Sequence, residues 1–255
     1  MDPLLDFSGQ VALITGAASG FGRLLAKGLA QRGCKLVISD IDEAGLATTL
    51  ESLAPYAEQV IAQKCNVASE QDCKAMVDAA MQKFGRVDIG VNNAGIAHSL
   101  APMHTLDEAT LDKQVDVNLK GVMFGMKYQI AAMLEQGSGH ILNVSSLAGL
   151  GGAPKGAAYS AVKHAVIGLT KTAAIEYARK GIRANAICPF YTPTNILNID
   201  GKISQEGIDR LAVGCPMKRL ATPDEIVNAM LLILSPGNTY MTGQSIALDG
   251  GVTAW

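Results

Sequence analysis

Seven short apolar runs, separated by longer amphipathic stretches, constrain the fold of this chain more than any other feature. In runs such as Val11–Ile14 and Leu36–Ile38 the apolar residues are consecutive rather than alternating. Consecutive apolar residues are typical of strands that are buried on both faces of a parallel sheet. The predicted strands are Val11–Thr15, Lys35–Ser39, Val60–Cys65, Val87–Asn92, His140–Ser145, Ile182–Cys188 and Gln244–Leu248.

Helical patterns lie between the first six of these runs. Right-handed crossovers between successive strands then predict an α/β fold, a Rossmann-type, doubly wound, parallel, seven-stranded sheet flanked by helices. No repeat or Pro/Ser-rich linker divides the chain, so we expect a single domain over residues 1–255. The predicted helices are near residues 21–32, 43–53, 70–84, 108–134, 157–179 and 224–234. Residues 190–216 show no clear pattern, and loops of that length are commonly either functional lids or disordered.

Composition excludes several classes of function. Lys and Arg number 21 against 23 Asp and Glu, a net charge of −2, so the sequence offers no surface for nucleic acid. The five cysteines form an odd set without a C-x-x-C spacing, which disfavours a disulfide framework or a metal site. The acidic N-terminus does not resemble a signal peptide, and no apolar stretch is long enough to span a membrane. We therefore expect a soluble, cytoplasmic protein.

A glycine-rich turn follows the first predicted strand and leads into a helix. Its spacing is T-G-x-x-x-G-x-G over Thr15–Gly22, and glycines there let the backbone approach a pyrophosphate. The second strand ends at Asp40, where a carboxylate accepts hydrogen bonds from ribose hydroxyls and repels a 2′-phosphate. Because no cation occupies Ala17–Ser19, the sequence favours NAD over NADP. Asp40 can equally serve as a helix cap for the segment that follows.

Residues with acid–base chemistry cluster after the later strands. Tyr159 and Lys163 are four residues apart, which places them on one face of a helix. Ser146 lies thirteen residues before Tyr159, at the end of the fifth strand, and Asn118 falls within the long helical pattern. Together with the glycine-rich turn and Asn92-Asn93-Ala94-Gly95, these motifs closely resemble the short-chain dehydrogenase/reductase family over essentially the whole chain.

This resemblance implies a role for each of the four residues. Tyr159 is expected to be the general acid/base, and the Lys163 ammonium with a positive nicotinamide ring would lower its pKa. Lys163 would also hold the nicotinamide ribose. Ser146 would bond the substrate oxygen, whereas the adjacent Ser145 is expected to be structural. Asn118 would hold a helix kink and a water that relays protons from Lys163.

The resemblance also implies a set of cofactor contacts and two departures from the family pattern. Asn66 stands where the family commonly has Asp, and its side-chain oxygen can still accept from the adenine amine. Phe190 stands where the family usually has glycine, and it either presents its ring to the substrate or stiffens the loop. The expected cofactor-binding residues are Gly16, Ser19, Gly20, Phe21, Gly22, Asp40, Asn66, Val67, Asn93, Ala94, Gly95, Tyr159, Lys163, Thr192 and Thr194.

The expected reaction is hydride transfer between NAD(H) and an uncharged, hydrophobic secondary alcohol or ketone. The predicted substrate wall is largely apolar and lacks a cation to hold a carboxylate; its contacts are Ser146, Leu147, Tyr159, Phe190 and Tyr191. A 3-oxoacyl-carrier-protein-type ketoreductase and a catalytically silent NAD-binding regulatory module are the alternatives. His98 and His104 are interpreted as surface or pocket-wall residues. Family resemblance further implies a homotetramer whose partners are small-molecule substrates only.

Overall fold

The computed structural model describes residues 2–197 and 204–254, and over these residues a parallel sheet forms the centre of the molecule. Its seven strands are β1 (Val11–Thr15), β2 (Lys35–Asp40), β3 (Val60–Lys64), β4 (Ile89–Asn92), β5 (Gly139–Val144), β6 (Ile182–Pro189) and β7 (Ser245–Leu248). Their order is β3-β2-β1-β4-β5-β6-β7, and every neighbouring pair is parallel. The predicted doubly wound sheet is therefore confirmed, with strand boundaries shifted by two residues at most.

Helices cover both faces of this sheet. They are α1 (Gly20–Ala30), α2 (Glu43–Ser52), α3 (Glu70–Phe84), α4 (Glu108–Gln114), α5 (Gly121–Gln136), α6 (Ala157–Tyr177), α7 (Gln205–Val213) and α8 (Pro223–Leu234). Alternate residues of one strand pack into separate hydrophobic cores on opposite faces of the sheet. Ile14 packs with α1, α2 and α8, whereas Leu13 packs with α3, α5 and α6. Burial on both sides is the physical reason why the strands read as continuous apolar runs.

The strand order reverses between β1 and β4, which is where the chain leaves a crevice for ligands. After β3 the chain crosses over β2 and β1 to add β4 on the other side of β1. In open α/β sheets the crevice beyond the carboxyl ends of the strands at this reversal is the usual binding site. The glycine-rich turn after β1, Asp40 at the end of β2 and Asn93 after β4 all lie at this edge.

Two parts of the helical pattern differ from the prediction. The single helix expected over 108–134 is interrupted by a π-helical turn at Val115–Lys120, where Gly121 N–H bonds to the Asp116 carbonyl five residues back. The region 190–216 contains α7, which begins at the Ser204 cap and has no buried residue. The apolar residues Ile208, Leu211 and Ala212 do have helical spacing, but the stripe is too short to stand out within this long segment, and α7 was overlooked. Residues 198–203 of that region lie outside the described residues.

No helix in the described part of the chain combines the length and the apolar character that crossing a bilayer requires.

Candidate active site

The glycine-rich turn is packed so tightly that side chains are excluded from two of its positions. Gly16 has a φ of +69°, and a Cβ there would lie 2.8 Å from the Ala94 Cα. A Cβ on Gly22 would overlap the carbonyl oxygen of Gly16. Ser19 is the N-cap of α1, but within the described structure its hydroxyl makes no capping hydrogen bond. The first N–H groups of α1 therefore stay open to an anion, as a pyrophosphate requires.

Asn93 joins this turn to the end of β4. Its Nδ2 donates to the carbonyls of Thr15 and Gly16 at 2.8 and 3.1 Å. In return, the Thr15 hydroxyl accepts the backbone N–H groups of Asn93 and Ala94, both at 3.0 Å. The amide of Asn93, which we expected to face the cofactor, thus braces the turn that would cradle it.

Asp40 lies at the opposite end of the same turn. Its Oδ2 accepts the Ala18 N–H at 2.9 Å, and its Oδ1 accepts the Asp42 N–H at 3.0 Å. These bonds hold a carboxylate directly beside the glycine-rich turn. The alternative role of capping α2 falls instead to Asp42, whose Oδ1 accepts the Gly45 N–H at 3.0 Å. Asp40 is therefore available for a ligand at the end of β2.

The other positions that we expected to contact the adenine lie near Asp40. The Cys65 N–H bonds to the Asp40 carbonyl at 2.9 Å, which places the exposed Asn66 and the buried Val67 beside it. Asn66 Oδ1 accepts the Ala68 N–H at 3.1 Å and retains a second lone pair for a donor. Ile41, which sequence reasoning missed, is 62% exposed immediately after Asp40. The available signal in the sequence was an apolar residue directly after Asp40, where the predicted strand ends.

The segment after β6 closes over the glycine-rich turn. A Cβ built on Gly20 would lie 3.6 Å from the Cβ of Thr194, so this threonine faces the turn across the crevice. Thr192 is buried, and its hydroxyl donates to the Phe190 carbonyl at 3.1 Å. Two threonine side chains are thereby held in the segment that borders the predicted cofactor site.

Three of the predicted catalytic residues meet beyond the carboxyl end of β5. Lys163 is buried, and its Nζ donates to the Val144 carbonyl at 2.8 Å and lies 5.5 Å from the ring centre of Tyr159. Ser146 follows β5, its hydroxyl accepts the Ala148 N–H at 3.2 Å, and its side chain is close enough to Tyr159 to lower the pKa of the phenol. The neighbouring Ser145 instead donates to the Lys163 carbonyl at 2.9 Å, which is a structural contact with α6.

Burial dominates the titration of this pair. Burial raises the pKa of Tyr159 to about 12, although the hydrogen bond with Ser146 acts in the opposite direction. Burial also lowers the pKa of Lys163 to about 8. Among the residues of the chain itself, burial outweighs the groups that favour the phenolate, because removing that charge from water costs more free energy than they contribute.

Asn118 occupies the π-helical turn and ties it to the segment after β4. Its Oδ1 accepts the Ile96 N–H at 2.9 Å, and its Nδ2 donates to the Ile96 carbonyl at 2.8 Å. Nδ2 also donates to Oε1 of the buried Gln114 at 2.6 Å, a partner that sequence reasoning missed although it lies four residues earlier. A Cβ on Gly95 would be 2.8 Å from Asn118 Oδ1 and 3.6 Å from Lys163 Nζ, so Gly95 adjoins both side chains.

The two aromatic residues after β6 have different surroundings. Tyr191 is close enough to Tyr159 to contribute to the raised pKa of its phenol. The ring of Phe190 meets that of Tyr191 edge-on at 4.9 Å, and it lines a cavity of about 270 Å³ whose walls include none of the four predicted catalytic residues. This geometry favours the interpretation that Phe190 stiffens the loop. Its φ is not positive, so a side chain fits where the family usually has glycine.

The described residues contain no group of three or more His, Cys, Asp or Glu side chains that could hold a metal ion. The chemistry available at this edge of the sheet is instead that of a buried phenol, an ammonium, a hydroxyl and an anion-binding turn. Together the fold and the site define an oxidoreductase that binds a dinucleotide in the crevice at the strand-order reversal.

Comparison with known proteins assigns the chain to a family. A family model described as enoyl-(acyl carrier protein) reductase matches residues 16–253. The chain is 38% identical over 250 residues to 3β-hydroxysteroid dehydrogenase 2 of Eggerthella lenta, covering 97% of this chain and 96% of that protein. It is 36% identical to cyclohexanol dehydrogenase of an Acinetobacter species over 251 residues, with coverage of 97% and 96%.

A solved structure agrees with these relatives. The 3-ketoacyl-(acyl-carrier-protein) reductase of Brucella melitensis, crystallised with NADH, superposes with a TM-score of 0.89 at 35% identity, covering 97% of this chain and 99% of that one. The protein belongs to the short-chain dehydrogenase/reductase family. It is an oxidoreductase of the kind that acts on secondary alcohols and ketones.

Proposed function

We propose that this protein transfers hydride between NAD(H) and an uncharged, hydrophobic secondary alcohol or ketone, and that it acts as one domain. The observation that carries the proposal is the meeting of Ser146, Tyr159 and Lys163 beside an anion-binding glycine-rich turn that ends against a carboxylate. When bound, the nicotinamide supplies the hydride acceptor or donor. Every other step in the reaction falls to residues of this chain.

Ser146, Tyr159 and Lys163 divide the proton chemistry. In the oxidation direction, the Tyr159 phenolate accepts the proton of the alcohol hydroxyl, and in reduction the phenol returns it. Ser146 donates a hydrogen bond to the same substrate oxygen and stabilises its developing negative charge. The Lys163 ammonium holds the ribose hydroxyls and favours the phenolate. Because burial is the largest cause of the raised Tyr159 pKa, positive charge beside the phenol is what would favour its phenolate.

Asn118 is proposed to keep the π-helical turn against Lys163 and so to order a water that passes protons outward from the lysine. Its amide is already bonded to Ile96 and Gln114, which makes a rigid turn its first contribution. Gly95 gives the lysine and this amide room to approach each other.

For the cofactor we propose NAD rather than NADP. The Asp40 carboxylate accepts from the adenosine ribose hydroxyls and repels a 2′-phosphate, and Ala17–Ser19 supply no cation to neutralise one. Asn66 and Val67 would face the adenine, and Thr192 and Thr194 the carboxamide and the phosphates. The Brucella melitensis relative was crystallised with NADH, which supports the same choice.

For the substrate we propose a cyclic alcohol or ketone. The names of two relatives state a hydroxysteroid and cyclohexanol as their substrates. Leu147 and Tyr191 are partly exposed near Ser146 and Tyr159, and they provide an apolar wall for a ring. A substrate complex with a carboxylate or phosphate bonded in this pocket would contradict the proposal.

A 3-oxoacyl-carrier-protein ketoreductase is the second candidate, favoured by the likeness to the Brucella melitensis enzyme. Such a reductase needs basic residues where an acidic carrier protein would dock, and Arg179-Lys180 at the end of α6 are the available pair. Asp40 does not separate the two candidates, because the Brucella melitensis ketoreductase was itself crystallised with NADH. The catalytically silent module is the less supported alternative, since the relatives named above are enzymes.

One assay separates these candidates. A panel of cyclic and acyclic secondary alcohols and ketones, with an acyl thioester, is followed at the absorbance of reduced nicotinamide with NAD and NADP side by side. We expect turnover of cyclic alcohols with NAD and a loss of about 10²–10⁴-fold in kcat for Tyr159→Phe. Full activity of that variant would refute the assigned mechanism, and faster turnover of the thioester than of the cyclic substrates, with either cofactor, would favour the ketoreductase.

We also propose that the protein assembles as a homotetramer in the cytoplasm. Large apolar side chains are exposed on the two long helices, namely Met123 and Leu134 on α5 and Ile175 on α6, and a second copy would cover them. All five cysteines are unpaired, as expected in a reducing compartment. Light scattering is expected to give four times the chain mass, and a monomer mass would refute the assembly.

A further inference from the structure

The helix that carries Tyr159 and Lys163 begins without a capping side chain of its own. Its N-cap is Gly156, which has no side chain to accept a hydrogen bond. Tyr159 is the third helical residue, and the N–H at this position is one that a capping side chain usually satisfies. An uncapped first turn frays readily, and here that turn holds the proposed acid/base.

His98, from the segment after β4, supplies the missing acceptor. Its Nε2 accepts the backbone N–H of Tyr159 at 3.4 Å across 61 positions of sequence. Its Nδ1 lies 2.8 Å from the Ser99 carbonyl, which can only accept. The two partners together assign the tautomer that carries its proton on Nδ1 and leaves Nε2 as the acceptor.

Hydrogen bonds at both ends fix the segment Ile96–Ala101, which contains His98, between the π-helical turn and the start of α6. At one end, Ile96 exchanges two hydrogen bonds with the Asn118 amide. At the other, the Ala101 N–H donates to the Lys155 carbonyl at 3.0 Å, one residue before the Gly156 cap. His98 lies between these anchors, so its ring is held in register with the first turn of α6.

We propose that His98 is a positioning residue that caps the first turn of α6 from outside the helix and thereby holds the Tyr159 phenol against Ser146. This inference rests on the proposed function, in which Tyr159 exchanges the proton with the substrate. The His98 ring itself touches the backbone of Tyr159 and takes no part in proton transfer. A displacement of the phenol by less than an ångström is costly because proton transfer needs close contact between the reacting atoms.

The test compares three single variants in the full-length protein. His98→Gln keeps a side-chain acceptor at the position of Nε2, whereas His98→Phe keeps a ring of similar size and removes the acceptor. His104→Gln, at an exposed position of the segment after β4, controls for the loss of a histidine. Steady-state kcat and KM for a cyclic alcohol, the Kd for NAD and the Tm are measured for each.

We expect His98→Phe to lower kcat by about 10-fold or more while the Kd for NAD stays within about twofold. His98→Gln is expected to restore kcat to within about threefold of the parent, and His104→Gln to leave it unchanged. Equal loss in the Phe and Gln variants would overturn the proposal, since it would require the imidazole itself. A rise in KM with unchanged kcat would also overturn it and make His98 a pocket-wall residue.

Two further variants cover the cases in which His98→Phe does not fold or Tyr159 is not the acid/base. Where His98→Phe does not fold, His98→Asn replaces it, because its shorter side chain also fails to reach the Tyr159 N–H; unchanged kcat in that variant overturns the proposal. Tyr159→Phe is assayed in parallel. If that variant remains fully active, the proposed function fails, whereas a Tyr159-dependent enzyme that is insensitive to His98→Phe contradicts the positioning role alone.

Discussion

At the scale of single residues, the same burial acts in opposite directions on Tyr159 and Lys163. It raises the pKa of the phenol to about 12 and lowers that of the ammonium to about 8. Each shift disfavours the charged form, which is the form that each residue needs for its proposed task. Both shifts reflect how completely the two side chains are removed from water, and in the proposed reaction positive charge beside Tyr159 would favour its phenolate.

Asp40 permits a prediction about cofactor choice. Asp40→Ser removes the carboxylate that would repel a 2′-phosphate, so the ratio of kcat/KM for NAD to that for NADP should fall by about tenfold or more. Steady-state rates with the two cofactors measure this ratio. Asp42→Ser is the matched control: it affects the N-cap of α2, where serine also caps, and should leave the ratio unchanged. An unaltered ratio in Asp40→Ser would contradict the assignment.

At the scale of elements, the π-helical turn shows how a local irregularity serves a site. A regular helix across Val115–Lys120 would rotate Asn118 relative to Gln114, and the amide would lose its alignment with Ile96. Irregular helical turns of this kind are frequent at functional sites. Here the turn joins the segment after β4 to the helices that flank β5.

Asn118→Ala tests this element. It removes three hydrogen bonds and leaves the Ile96 backbone and Gln114 with unpaired polar groups, so the free energy of unfolding should fall by about 1–3 kcal/mol. The kcat should fall as well, because Lys163 loses a neighbouring support. Urea unfolding and steady-state kinetics measure the two effects. Asp116→Ala, which removes an exposed ion pair with Lys120 in the same turn, should cost less than about 1 kcal/mol.

At the scale of the whole molecule, the buried centre of the sheet contains a histidine that folding keeps neutral. His140 on β5 is 4% exposed, and its ring nitrogens Nδ1 and Nε2 lie 2.9 and 3.0 Å from side-chain nitrogens of Arg183 and Asn185 on β6. Burial, reinforced by the Arg183 charge, lowers its pKa to about 3. The folded protein therefore keeps this imidazole neutral, and protonation of His140 at low pH destabilises the fold.

The sign of the resulting pH dependence follows from which state binds more protons. The unfolded chain titrates His140 near pH 6.5, so between that pH and about 3 it binds more protons than the folded chain. The stabilisation is complete above pH 6.5 and is lost as the pH falls, at up to about 1.4 kcal/mol per pH unit.

Urea unfolding at fixed protein concentration, repeated across that range, measures the slope. His140→Gln, which cannot gain a proton, should flatten it, and the exposed His164→Gln controls for the loss of one histidine. Identical slopes in the parent and in His140→Gln would contradict this account.

Much of the fold was predictable because buried elements have a characteristic pattern of apolar residues in the sequence. All seven strands were found, since burial on both faces requires apolar residues at consecutive positions. The exposed helix α7 was missed because its apolar stripe is too short to stand out within a long segment. The π-helical turn was missed for a different reason: its sequence is as helical as its surroundings, and its wider geometry is held by Ile96 from another segment.

The sequence by itself determined the parallel sheet, the glycine-rich turn and the order of the polar residues at the strand ends, because each depends on local periodicity or spacing. Only the tertiary structure decided what those residues touch. Asn93 braces the turn after β1, Asn118 holds the segment after β4, and His98 accepts the Tyr159 N–H at the start of α6. Such contacts join atoms from segments far apart in the chain, and their geometry is set by how whole elements pack.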